Sequence, residues 1–185
     1  MTLCEDRVAL RGNMEGKASI KYDCQDGLRK WHYVHIFSPF LSGDRLYIAC
    51  FAYDKSIARN QQKGWLYCLT MKQGDIIWKI PVTSGILTSP VGFLKNNRLH
   101  IIIAARKGLV QCLDVSDWVS KHVWSFQMTH EVFGSPVITD GTTPPLMFLG
   151  SKYGNLIAID AWEGKEVWQK MAGNWIDNTA ICQNG

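Results

Sequence analysis

Charge, long apolar runs and patterned cysteines are all scarce in these 185 residues. Charged residues make up only 19%, and 20 Lys and Arg against 16 Asp and Glu leave a net charge of +4. That excess is too small and too scattered to form a nucleic-acid surface. The longest clean apolar run, Ile101-Ile102-Ile103-Ala104-Ala105, falls far short of a bilayer span, so no transmembrane segment is expected. The opening Met1-Thr2-Leu3-Cys4-Glu5-Asp6-Arg7 has no basic stretch leading into an apolar block, so no secretory signal is expected there. The six cysteines, Cys4, Cys24, Cys50, Cys68, Cys112 and Cys182, form no Cys-x-x-Cys pair, which leaves zinc and dithiol motifs without support. Gly-x-Ser-x-Gly and phosphate-cradling glycine loops are absent. No stretch keeps a helical period for long. Yet 46% of the residues are hydrophobic, enough for one globular core and too many for wholesale disorder.

What the sequence has is a repeat. Eight Trp and sixteen Gly are many for this length, and they recur periodically. Gly154-Asn155-Leu156-Ile157-Ala158-Ile159-Asp160-Ala161-Trp162-Glu163-Gly164-Lys165-Glu166-Val167-Trp168 aligns with Gly64 to Trp78, and with Gly108 to Trp124, which is two residues longer and lacks the second glycine. A weaker copy runs from Asp23 through Gly27 to Trp31. Trp31, Trp78, Trp124 and Trp168 lie 47, 46 and 44 residues apart. Between the copies, Ser38-Pro39, Ser89-Pro90 and Ser135-Pro136 each precede a short apolar run. A turn and a second apolar run follow, ending in Ala49-Cys50, Ala104-Ala105 or Gly150-Ser151.

Each unit holds four runs suited to strands. In the last full unit these are 136–139, 146–149, 155–159 and 166–169, separated by Asp140-Gly141, Lys152-Tyr153-Gly154 and Glu163-Gly164. The interior runs are apolar on nearly every position, as when both faces of a sheet are covered. Four antiparallel strands per unit of roughly 45 residues predict an all-β protein built from β-propeller blades. Cys68, Cys112 and Ala158 hold the same small-residue position, as close sheet packing requires. The recurrent Trp fills the space between blades, with an N–H that can reach a carbonyl. Gly27, Gly74 and Gly164 suit a turn with positive φ. Residues 1–16 read as a lead-in or degraded strand and 17–185 as repeats.

Ala158-x-Asp160-x-x-Glu163-Gly164-x-x-x-Trp168 resembles the tryptophan-docking motif, Ala-x-Asp-x-x-Thr-Gly-x-x-x-Trp, of the pyrroloquinoline-quinone-type propellers. Ser135-Pro136-Val137 and Phe148-Leu149-Gly150-Ser151 resemble the inner strands of the same repeat. The resemblance covers residues 17 to 182. The copies depart from the motif at Thr70, where Asp is usual, at Asp117, near the missing turn glycine, and at Lys21, where Ala is expected. The resemblance implies three kinds of function: a quinone-dependent dehydrogenase with calcium, a non-catalytic scaffold such as the lipoprotein subunit of the outer-membrane barrel assembly machine, or a propeller fused to an acyl-activating enzyme. The adjacent cysteine pair of several quinoprotein alcohol dehydrogenases is missing. Family rings have seven or eight blades, whereas this length supplies about four. The expectation is therefore a fragment of a larger ring; dimeric closure and a small four-bladed ring are the alternatives.

The residues themselves indicate no catalytic constellation, cofactor site or metal site. Cys50, Cys68 and Cys112 read as small buried hydrophobes. His32 and His35 are three apart but not on a helix; these and His100, His122 and His130 read as solvent-facing or packing residues. Asp23, Asp114 and Asp160 recur, and a recurring carboxylate is a turn device rather than an active site. The irregular feature is an insertion, Phe51 to Lys63, where other blades have only Arg106-Lys107 or Lys152-Tyr153. Its Tyr53, Asp54, Lys55 and Arg59 are candidate partner-binding residues, because insertions in repeats project from one face. Trp175, which is not a docking Trp, is another candidate. The expected function is a non-enzymatic scaffold holding a protein or peptide partner; quinone with calcium enters only under the dehydrogenase alternative. The unpatterned thiols point to the cytoplasm, or to the periplasm if residues precede Met1.

Overall fold

The computed structural model describes residues 10–12, 18–20, 33–53, 63–82, 85–86, 88–117, 119–139 and 141–176, with backbone alone at 10–12, 18–20, 33–36, 52–53 and 63. Trp31, Gly27, Asp54, Lys55, Arg59 and the run 179–182 lie outside the described residues.

Strands β1 (Leu10–Gly12) and β2 (Ala18–Ile20) form a two-stranded antiparallel sheet. Then come β3 (Tyr33–Ile36), β4 (Phe40–Ser42), β5 (Arg45–Tyr53), β6 (Lys63–Thr70) and β7 (Ile76–Val82). In this first blade β4 pairs with the start of β5 and β3 with its end, so both occupy one edge; β6 and β7 follow on the other side. The second blade is a plain meander of β8 (Val91–Lys95), β9 (Arg98–Ala104), β10 (Leu109–Asp114) and β11 (Lys121–Gln127). The third repeats it with β12 (Val137–Ile138), β13 (Leu146–Gly150), β14 (Asn155–Asp160) and β15 (Glu166–Met171). Among the described residues there is no helix.

Alternation along β9 shows why the blades stack. Ile101 and Ile103 point into a core shared with the first blade, through Tyr47, Leu66 and Ile86. Ile102 and Ala104 point the other way, into a core shared with the third blade through Met147, Leu149 and Ile159. A strand buried on both faces has no polar position to spare, hence its unbroken apolar run. The outermost strands face solvent, and β15 is exposed at nearly every residue.

The repeat's small residue lies directly across from its tryptophan: Cys68 from Trp78, Cys112 from Trp124, Ala158 from Trp168. The register shifts just after this pair in all three blades, a bulge that re-aims the ring between blades. Trp124 donates its indole N–H to the carbonyl of Ala161 in the next blade at 3.0 Å, and its ring lies against Gly164. Gly74 and Gly164 sit at φ +74° and +70°.

The junction between the first two blades uses a different device. Trp78 has a buried indole N–H with no hydrogen-bond partner. The carbonyl equivalent to that of Ala161 belongs to Val115, and Arg45 donates to it at 3.1 Å and to the carbonyl of Asp117 at 3.3 Å. The copy that lost its turn glycine is thus clamped by a guanidinium reaching from the neighbouring blade.

The recurring acid caps the turn between the two outer strands. Asp160 Oδ1 accepts from the backbone N–H groups of Trp162 and Glu163 at 2.8 and 3.1 Å, and Asp114 Oδ1 from Ser116 N–H at 3.0 Å. In the first blade the Thr70 hydroxyl does this work, accepting from Asp75 N–H at 3.0 Å. Asp114 also receives Arg98 Nε at 2.7 Å. Burial, the largest single influence, disfavours its charge, but the Arg98 hydrogen bond and the Ser116 donors together outweigh it and hold the carboxyl at about 2, below its ordinary 3.8.

The unfolded chain therefore takes up that proton first as pH falls. The stabilisation is complete above about pH 4 and is lost as pH falls towards 2. Allowing for the solvent around Arg98, it amounts to roughly 1–2 kcal/mol. Asp114→Asn is expected to lose that much near neutrality and to flatten the acid limb of a urea-midpoint-against-pH profile. An unchanged acid limb would assign that limb to other carboxylates.

Candidate functional site

The turns between the two middle strands of each blade and the connections from one blade to the next share one end of the stack. The described turns are 105–108 and 151–154, with the adjoining ends of β5 and β6 in the first blade; the connections include 128–136 and 172–176. Backbone hydrogen bonds lace them together. Arg106 N–H donates to Gly85 O at 2.9 Å, Val132 N–H to Arg106 O at 3.0 Å, Lys152 N–H to Glu131 O at 2.9 Å and Ile176 N–H to Ser151 O at 3.2 Å. This lacing is why glycine opens the third strand of each unit. A Cβ on Gly108 would press on the carbonyls of Met128 and His130, and one on Gly154 would overlap the carbonyl of Gly173. The connection crosses too close to the turn for any side chain.

The ends of β5 and β6 that flank the insertion, Tyr53 and Lys63, lie at this same end. The insertion is shorter than the sequence implies, because Phe51–Tyr53 and Lys63 extend β5 and β6 and Tyr53 pairs with Tyr33. The extra length of β5 is occupied by β3, and Phe51 is buried with its ring over Gly85. The side chain of Tyr53 is not described, and Asp54, Lys55 and Arg59 lie outside the described residues.

Trp175 sits at the same end, 59% exposed. Lys152 Nζ lies 5.6 Å from the Trp175 ring centroid and 6.0 Å from that of Tyr153, which is 57% exposed. His130 packs edge-on to Tyr153 with centroids 4.7 Å apart. Glu131 pairs with Lys152 at 3.5 Å and with Arg106 Nε at 3.3 Å, the latter without hydrogen-bond alignment. Arg106 also lies 5.9 Å from the Phe133 ring centroid. In the sequence Trp175 stands out as a tryptophan out of phase with the repeat, whereas Lys152, Tyr153, Glu131 and Arg106 do not, although Arg106-Lys107 and Lys152-Tyr153 hold the repeat position of the insertion.

Other chemistry-bearing residues have structural surroundings. Burial pushes the thiol of Cys50 up to about 11 and that of Cys112 to about 12, so neither is a thiolate at neutral pH. His100 is buried, stacked on Phe93 at 5.2 Å, with Nδ1 3.0 Å from Arg98 O. His122 meets the hydroxyl of Ser125 at 2.7 Å. His35 contributes backbone pairing to β3, and His32 lies outside the described residues. Among the described residues no group of three His, Cys, Asp or Glu could hold a metal ion. Nor is any helix among them long and apolar enough to cross a membrane.

Residues 32–174 match the family described as the outer membrane protein assembly factor BamB. No curated protein matches the chain. Among solved structures, BamB from Moraxella catarrhalis superposes with a TM-score of 0.52 at 18% identity, covering 91% of this chain and 46% of its own. BBS1N, in a complex with ARL6DN, has a TM-score of 0.53 at 12% identity and covers 92% of this chain and 49% of its own. The computationally designed Ika4 protein has a TM-score of 0.53 at 10% identity, covering 86% and 84%. At such identities the likeness shows the fold, that of β-propeller blades. The chain spans about half the length of the BamB and BBS1N chains.

Proposed function

We propose, from the premise that this chain belongs to the family of the outer membrane protein assembly factor BamB, that it is a non-catalytic β-propeller scaffold holding a protein partner on its loop end. The observation that carries this reading is the convergence of Trp175, Tyr153, Lys152 and the root of the insertion at one end of the stack. Exposed aromatics beside a cation are the usual anchors of a protein interface. The turns 105–108 and 151–154 and the connections that cross them are tied together by backbone hydrogen bonds, so a partner meets a surface that costs little entropy to fix. BBS1N is likewise a structure with a protein bound.

A photo-reactive phenylalanine analogue placed at Tyr153 or Trp175 in the source cell tests this. It is expected to give a discrete protein adduct. The same analogue at Val119, which is 65% exposed at the opposite end, is expected to give none. No adduct from the loop end, or the same adducts from both ends, would overturn the reading.

A further inference from the structure

The two ends of the stack differ in how their charges are met. At the end away from the loops, Arg98 pairs with Asp114 and Asp117, Lys121 with Asp117, and Lys165 with Glu163. Those pairs neutralise the turns they hold. At the loop end, Arg106 and Lys152 pair with one carboxylate, Glu131, and the exposed Lys107 has no ion pair among the described residues. Glu131 lies between two of the three cations. The outer side of Lys152 is left over Trp175 and Tyr153, both more than half exposed. A cation resting on aromatic faces is partly desolvated, which strengthens its attraction for an incoming carboxylate.

Resting on the scaffold reading above, we propose that the loop end recognises an acidic peptide segment of its partner. Carboxylates of the segment meet Lys152, Lys107 and Arg106, while an apolar side chain between them lies on Trp175 and Tyr153. Nucleic acid fits less well. Three cations beside a paired carboxylate are fewer than the several phosphate contacts that hold a strand. The sign of the charge also selects the partner: a basic segment would meet Lys107, Lys152 and Arg106 with only Glu131 between them, and like-charge contact is strongly unfavourable.

The test is fluorescence anisotropy of the full chain with a short labelled peptide alternating glutamate with leucine and phenylalanine. The same peptide with lysine for glutamate and an oligothymidylate of equal charge serve as controls. The glutamate peptide is expected to bind saturably, and Lys152→Glu or Trp175→Ala to weaken it by roughly tenfold or more. Lys121→Glu, at the opposite end, is expected to leave it unchanged. Absence of binding, equal loss in Lys121→Glu, or equal binding of the oligothymidylate would overturn the proposal. A discrete cross-linked partner at Trp175 together with no peptide binding would overturn this inference and leave the scaffold reading standing.

Discussion

Trp124→Ala is expected to destabilise the stack by about 3–5 kcal/mol, a large part of the stability of an ordinary domain. Trp124 is only 8% exposed and sits in the core that joins the second and third blades. Its removal empties the space above Cys112, strips the cover from Gly164 and leaves the Ala161 carbonyl without its donor. Trp124→Phe separates these losses. It keeps an aromatic filler and forfeits the hydrogen bond, so much of the packing survives and a smaller loss, of about 1–2 kcal/mol, is expected. Trp168 is the internal control. It occupies the same repeat position but is half-buried, resting on Phe148 at 5.7 Å. Trp168→Ala is therefore expected to cost clearly less in the same urea titrations. Equal costs for Trp124→Ala and Trp168→Ala would contradict the view that docking onto the next blade supplies the energy. Neighbouring blades couple like links in a chain, so the unfolding profile of Trp124→Ala is also expected to broaden or split as its two sides come apart.

Gly154→Val is expected to cost about 2–4 kcal/mol and to disturb the loop end as well. Two penalties fall on one atom. The φ of +81° is a left-handed conformation that a β-branched residue adopts only under strain. The new Cβ would also overlap the backbone of Gly173, which cannot rotate away as a side chain could. The connection 172–176 must then move, carrying Trp175 with it, and the Ile176 N–H to Ser151 O bond at 3.2 Å is the first to break. The urea midpoint should fall, and the emission of Trp175 should shift even in the folded protein. Gly141→Ala is the comparison: φ is +76°, yet a Cβ there meets open space, so only the backbone strain remains. A Gly154→Val protein as stable as Gly141→Ala would remove the close crossing from the account of why glycine recurs at this position.

Much of this architecture is legible in the sequence. The strands of the third blade fall close to where turn chemistry places them, because Glu163-Gly164 and Lys152-Tyr153-Gly154 mark reversals that depend on a few neighbouring residues. The pairing of each small residue with a tryptophan across the sheet was legible as a repeated position, though not as a contact. The candidate site was less visible. Trp175 stood out as a tryptophan out of phase with the repeat, but Lys152 and Glu131 lie on different blades and carry no motif. Their partnership depends on how one blade's connection crosses the next blade's turn. The insertion drew attention by its length, and part of that length is plain strand.

Sequence alone determined the period, the four-stranded unit and the places where backbone reverses. Each rests on local geometry that the same residue types impose wherever they recur. Tertiary structure decided that Trp124 meets the Ala161 carbonyl, and that Arg45 serves the junction where Trp78 finds none. It also decided that Arg106, Glu131, Lys152 and Trp175 share one end of the stack. Those relations join residues from different repeats, and their distances follow from the angle and spacing between packed sheets, which no local pattern encodes.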